Sequence, residues 1–169
     1  MGLTPQGSQA RACVAVVGTS TGTRDELSHA EAVGRLIARE GWILVCGGLG
    51  GVMDAAARGV EAEGGTAIGI LPGDDRSTAS PHLTAGVATG LGEGRNVLIV
   101  RTADVVVAIG GEFGTLSEIA LALKMGKSVI GLDTWSLGRE GLDHDPIVRV
   151  SSAEDAVAAA REAMRVRRS

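Results

Sequence analysis

Short apolar runs alternate along this chain with longer segments whose apolar residues recur at helical spacing. Ala12 to Val17, Trp42 to Cys46, Thr66 to Leu71, Asp104 to Ile109 and Ser128 to Leu132 are compact aliphatic runs, each followed by glycine, proline or a polar residue, and they predict five buried strands. Between the first two, Leu27, Ala30, Val33 and Ile37 mark one helical face, and Thr23 with Glu26 has capping-box spacing at its start. Further helices are predicted near Val52 to Glu63, Thr115 to Met125 and Ser152 to Val166, with Thr115–Glu118 and Ser151–Glu154 repeating the capping-box pattern. Asn96 to Val100 fits either period and is taken as helix. Strands apolar enough to be covered on both faces, alternating with helices, predict an α/β fold: a Rossmann-like doubly wound parallel sheet with helices on both faces. Residues 72–94, rich in Gly, Pro, Ser and Thr, read as a mobile lid or an irregular crossing between sheet halves, near a site in either case. Residues 1–11 are expected to form a flexible N-terminus before a single ligand-binding domain over 12–166.

Composition narrows the functions open to such a fold. A chain of 169 residues suits one domain with a sizeable core. The net charge of −4 gives no general attraction to a phosphate backbone, and Trp42, Phe113 and Trp135 are the only aromatic residues, so no direct nucleic-acid partner is expected. Arg161, Arg165, Arg167 and Arg168 fall at the end of a predicted helix, where cations complement the dipole. Cys13 and Cys46 lie inside apolar strands as small hydrophobes, which fits a reducing compartment. No run approaches the roughly 18 apolar residues of a membrane span, and the first eleven residues lack the apolar core of a signal peptide, so a cytoplasmic location without a membrane partner is expected. His29, His82 and His144 have no partners at ligand spacing, and no metal site is expected.

The candidate chemistry lies in three glycine-rich segments, each after a predicted strand: Gly18-Thr19-Ser20-Thr-Gly22, Gly47-Gly48-Leu-Gly50-Gly51 and Gly110-Gly111-Glu-Phe-Gly114-Thr115. In a parallel doubly wound sheet these loops converge on the C-terminal edge, where backbone N–H groups and helix N-termini can hold an anion. They make a candidate phosphate cradle, with Arg95 and Asn96 supplying side chains. Glu112 puts a carboxylate in that cradle, where it repels a dianion unless it turns outward or meets a ribose hydroxyl; Phe113 can cover a base or pterin ring or pack on its own helix. The dinucleotide fingerprint Gly-x-Gly-x-x-Gly is missing from every strand-to-helix turn, and Gly126-Lys127-Ser128 follows a helix instead of opening one, so it reads as a helix C-cap. Neither Ser20, Ser117 nor the cysteines has an assignable base, which leaves nucleophilic catalysis without support.

Gly94-Arg-Asn-Val-Leu-Ile-Val-Arg-Thr-Ala-Asp104, continuing through Gly110-Gly-Glu-Phe-Gly-Thr-Leu-Ser-Glu118 to Gly126, resembles the superfamily once described as lysine decarboxylase-like, over roughly residues 12–133. That superfamily includes the cytokinin-activating phosphoribohydrolases and the molybdenum cofactor carrier proteins, and the carrier branch looks nearer; a weaker resemblance is to the Rossmann domain of DNA-processing proteins. The hydrolases' Pro-Gly-Gly-x-Gly-Thr-x-x-Glu motif is matched at Gly111, Gly114, Thr115 and Glu118, with Gly110 in place of Pro and Glu112 in place of the second Gly. Their His-Glu-Arg-Lys segment falls on Glu93-Gly94-Arg95-Asn96, keeping only the arginine. The resemblance implies a carrier that binds a nucleotide or phosphorylated pterin such as molybdenum cofactor, with no required cofactor of its own. The alternative it implies is a nucleoside 5′-monophosphate phosphoribohydrolase with Arg95 and Glu118 as catalytic pair. A homodimer or higher homo-oligomer is expected through the helix near Thr115 to Met125, because Leu116, Ile119 and Leu123 share its apolar load with Leu121 and Met125.

Overall fold

The computed structural model describes residues 10–167; of the stretch 1–11, residues 1–9 lie outside them, as does Arg168. Arg11 is tied down, its guanidinium donating to the Gly41 and Trp42 carbonyls and the Thr66 hydroxyl. The five predicted strands form at β1 (Cys13–Gly18), β2 (Ile43–Cys46), β3 (Thr66–Leu71), β5 (Val105–Ile109) and β6 (Val129–Leu132). Two more, β4 (Ala85–Ala88) and β7 (Ile147–Val150), complete a seven-stranded sheet of order β4-β3-β2-β1-β5-β6-β7, parallel at every pairing. The sequence reading missed these two because they are the edges: exposed along much of their length, they lack the continuous apolar run of an inner strand.

Helices α1 (Arg24–Arg39), α2 (Val52–Ala62) and α5 (Ala153–Arg167) cover one face, and α3 (Asn96–Thr102) with α4 (Phe113–Lys124) covers the other. The alternation inside β1 shows the division: Val14 and Val16 enter the first core, Ala15 and Val17 the second. The α1 capping box forms as read, with the Glu26 N–H donating to Thr23 Oγ1 and the Thr23 N–H to Glu26 Oε2. At α5 the cap is shifted by one: Ser152 Oγ, not Ser151, accepts from the Asp155 N–H at 3.1 Å. Gly126 does end α4, at φ +68°, with its N–H donating to the Leu123 carbonyl and that of Lys127 to the Ala122 carbonyl.

Residues 72–94 form the irregular crossing, not a free lid. The segment adds β4 and is pinned along its length, Ser80 N–H to the Gly48 carbonyl, Thr84 N–H to Ala67 and Gly92 N–H to Pro72, before a 3-10 turn at Gly92–Arg95 leads into α3. Helices α1 and α2 pack backbone against backbone: a Cβ on Gly34 would lie 2.1 Å from the Ala56 carbonyl oxygen, and one on Gly59 2.1 Å from that of Glu31. Of the basic residues near the C-terminus, Arg161 pairs with Glu40, Arg165 with Glu162, and Arg167 donates to the Asp104 carbonyl. On α4, Ile119 and Ala122 are buried, Leu116, Leu121, Leu123 and Met125 are half-buried, and Phe113 is exposed. Among the described residues no helix is long and apolar enough to cross a membrane.

Candidate functional site

The chain reverses its direction of travel across the sheet between β1 and β5, which pair so that Gly18 stands opposite Ile109. Loops leaving their C-terminal ends therefore start side by side and diverge, opening the crevice in which such sheets hold ligands. A cavity of about 400 Å³ occupies it, lined by Gly18, Thr19 and Ser20 after β1, Leu49 and Met53 after β2, Pro72 after β3, Glu93, Arg95 and Asn96 at the start of α3, and Glu112, Gly114 and Thr115 at the start of α4.

The structure thus brings seven of the sequence-derived candidates, Gly18, Thr19, Ser20, Arg95, Asn96, Gly114 and Thr115, to one cavity. Gly47, Gly48, Gly50, Gly51 and Gly110, expected in the cradle, are not among its lining residues, and Gly111 lines an adjoining hollow. Their smallness serves close packing of loop on loop. Gly51 has φ +63°, and a Cβ there would lie 2.3 Å from the Ser20 carbonyl carbon, in a place where the Val52 N–H reaches the Thr19 carbonyl at 3.0 Å. A Cβ on Gly47 would lie 2.7 Å from Arg95 Nη2, so the guanidinium rests directly on that glycine. Leu49, Met53 and Pro72 were not anticipated, since an apolar loop residue carries no signal of its own.

Arg95 is only 9% exposed. Its Nη1 donates to Asn96 Oδ1, Asn96 Nδ2 donates to Ser117 Oγ at 3.2 Å, and Ser117 donates to the Gly114 carbonyl at 2.6 Å. This relay fixes the guanidinium against α4 while its Nε, buried, has no hydrogen-bond partner among the described residues. Glu118 Oε1 lies 3.8 Å from Nη1. The capping-box reading of Thr115–Glu118 fails because α4 begins three residues earlier, at Phe113, with Glu112 as N-cap; Thr115 and Glu118 are then interior helical residues, both buried. Burial pushes the Glu118 carboxyl up to about 7, against the opposing pull of Arg95, and burial also lowers the guanidinium below its ordinary range, with Glu118 offsetting it. Cys46, fully enclosed, has its thiol pushed up to about 11 and offers no thiolate.

The Glu118 shift has a measurable consequence. The folded protein holds this proton more tightly than the unfolded chain, so the stability from neutral Glu118 is complete below its ordinary value of 4.5 and is lost as pH rises to about 7. The swing is on the order of 3 kcal/mol. Urea unfolding of wild type and Glu118→Gln from pH 4.5 to 8 should show the variant gaining on wild type by that order as pH rises; parallel curves would mean the carboxyl is not held neutral.

The β5 loop is braced from outside the cavity. Thr134 Oγ1 donates to the Gly110 carbonyl, and Trp135 Nε1 donates to that of Glu112 at 3.2 Å. The exposed Phe113 ring stands against Trp135 with centroids 5.6 Å apart, packing on this loop and not on the cavity wall.

Set beside known proteins, residues 11–164 match the model of the SLOG cluster4 family. An uncharacterized protein of Archaeoglobus fulgidus is 41% identical over 119 residues, 70% of this chain and 78% of that one. The molybdenum cofactor binding protein from the phototrophic bacterium Rippkaea orientalis superposes with a TM-score of 0.85 at 37% identity, over 92% of this chain and 98% of that one. The molybdenum cofactor carrier protein MCP from Chlamydomonas reinhardtii gives 0.82 at 34% identity, over 92% and 99%. DNA processing protein A from Helicobacter pylori, at 18% identity and a TM-score of 0.68 over 89% and 80%, shares the fold. With a family model spanning nearly all of its described residues, the chain belongs to the SLOG cluster4 family.

Proposed function

We propose that this protein binds a small phosphorylated ligand, nucleotide-like or pterin, and carries it without transforming it, in the manner of a molybdenum cofactor carrier. The observation that carries this reading is the buried, braced Arg95 with an unpartnered Nε on the wall of a cavity at the sheet's switch point. A guanidinium held in this way is pre-organised for a phosphate, and Thr19, Ser20, Gly114 and Thr115 supply neighbouring hydroxyl and backbone donors. A volume of about 400 Å³ suits a ligand of nucleotide or pterin size. The two molybdenum cofactor proteins that superpose over nearly their whole length support the same class of cargo. A homodimer or higher homo-oligomer through α4, and a cytoplasmic location, belong to this reading.

The phosphoribohydrolase alternative draws on one observation, the approach of Glu118 to Arg95. A carboxylate that stabilises charge on ribose must be ionised and in contact with the sugar. Glu118 is absent from the cavity lining and lies 3.8 Å from the Arg95 guanidinium, which suits a residue that positions Arg95. The expected outcome is a thermal upshift with AMP or GMP, none with the unphosphorylated nucleosides, and no adenine released from AMP on prolonged incubation. Robust release that drops by orders of magnitude in Glu118→Gln would establish the hydrolase instead. Mass spectrometry of the small molecule that copurifies with the native protein then names the cargo.

A further inference from the structure

Two cavities meet at Glu112. The one described above carries Arg95; the other, about 280 Å³, opens beside the start of α1, and Thr19 and Glu112 line both. Glu112 holds the N-cap position of α4 with extended backbone (φ −107°, ψ −160°), yet its side chain makes no capping bond. At that place a short polar side chain would normally satisfy a free N–H of the first turn. The backbone of Glu112 secures the loop, its carbonyl accepting from Trp135, and the residue, exposed, lines both hollows. The other carboxylate of the smaller hollow, Glu26, is engaged: its Oε2 accepts the Thr23 N–H at 2.6 Å. The hydroxyls of Thr19 and Thr21 face each other at 3.2 Å.

Charge on the larger wall points the same way. Arg95 is its one cation, set against Glu93 and Glu112. A single guanidinium can hold one phosphate in a forked contact and offset part of its charge, while a second or third phosphate would meet carboxylates and no further cation. An acid at the entrance is a liability for an anion and an asset for a ligand whose other end donates hydrogen bonds.

We propose that Glu112 is a specificity-determining residue: its carboxylate accepts a pair of hydrogen bonds from the donor-bearing head of a ligand whose single phosphate sits at Arg95. This rests on the phosphate-binding reading above and narrows it to monophosphates with paired donors. Two chemistries present such a pair to a carboxylate, the adjacent N–H and NH₂ of an aminopyrimidinone ring and the vicinal hydroxyls of ribose. A ligand that offers only acceptors there leaves the carboxylate unpaired and is rejected.

Calorimetric titration of the full chain with GMP, IMP, 2′-deoxyGMP and GDP separates the cases. Wild type is expected to prefer GMP over IMP by about tenfold if the ring is read, or over 2′-deoxyGMP if the diol is read, and to bind GDP more weakly than GMP. Glu112→Ala, at an exposed position, should erase that preference and narrow the gap between GDP and GMP; Glu112→Gln, which keeps one acceptor oxygen, should fall between. A preference that survives Glu112→Ala, equal affinity for all three monophosphates, or GDP bound as tightly as GMP overturns the assignment. If no monophosphate binds wild type at all, the phosphate reading falls and takes this inference with it.

Discussion

Arg95→Ala should weaken the binding of AMP or GMP by about a hundredfold or more, while the protein still folds at pH 7. The magnitude follows from a charge-assisted, forked contact made in a partly desolvated site by the only cation on the wall. Folding survives because Glu118, relieved of the group that favours its charge, keeps its proton more firmly instead of standing ionised and alone. Arg95→Lys should recover little affinity: an ammonium restores the charge without the planar fork that reaches Asn96 and the ligand together. Calorimetry with circular dichroism as a fold control decides the matter, and affinity within threefold of wild type in Arg95→Ala would remove the basis of the phosphate site.

Gly34→Ala and Gly59→Ala should each lower stability by about 3 kcal/mol. In an exposed helix this change is stabilising by up to about 1 kcal/mol through propensity alone, so the steric effect decides the sign. Each new methyl would lie 2.1 Å from a carbonyl oxygen of the opposite helix, and backbone cannot swing aside as a side chain can. Separating the helices to make room would also stretch the contacts that Glu31 makes with Arg58 across the interface. The urea midpoint should fall with the slope unchanged; a loss below 1 kcal/mol in both variants would show that the interface yields.

The inner sheet was legible in the sequence because strands covered on both faces must be apolar at successive positions. The edges were not, since Ala85-Gly86-Val87-Ala88 and Ile147-Val148-Arg149-Val150 meet solvent and carry no such run. At the site, resemblance pointed to Arg95 and Glu118 and topology to the glycine loops; Arg95, Gly18 and Gly114 line the cavity at the switch point, whereas Glu118, Gly47, Gly48, Gly50, Gly51 and Gly110 do not. The role of Glu118 was hidden because Thr115-x-x-Glu118 fits a cap as well as a buried pair, and only the start of α4 at Phe113 decides between them. Ser117, the last link in the brace on Arg95, sits on an exposed helical position with no periodic cue. No local pattern marks Gly34 and Gly59, where the backbones of α1 and α2 come so near that an added Cβ would lie 2.1 Å from a carbonyl oxygen of the other helix.

The pairing of β1 with β5 also bears on how the protein is made. Cys13 and Asp104, joined across that seam, are 91 residues apart in the chain, whereas β1, β2 and β3 are neighbours in sequence as well as in space. During synthesis the first half can assemble as soon as it emerges, but the crevice has only one wall until β5 arrives, and closing so long a loop is the entropically costly event. The cavity therefore cannot form before β5 and the start of α4 have been made, since Glu112, Gly114 and Thr115 line it. A chain that stops short of β5 has half of a crevice and no pocket.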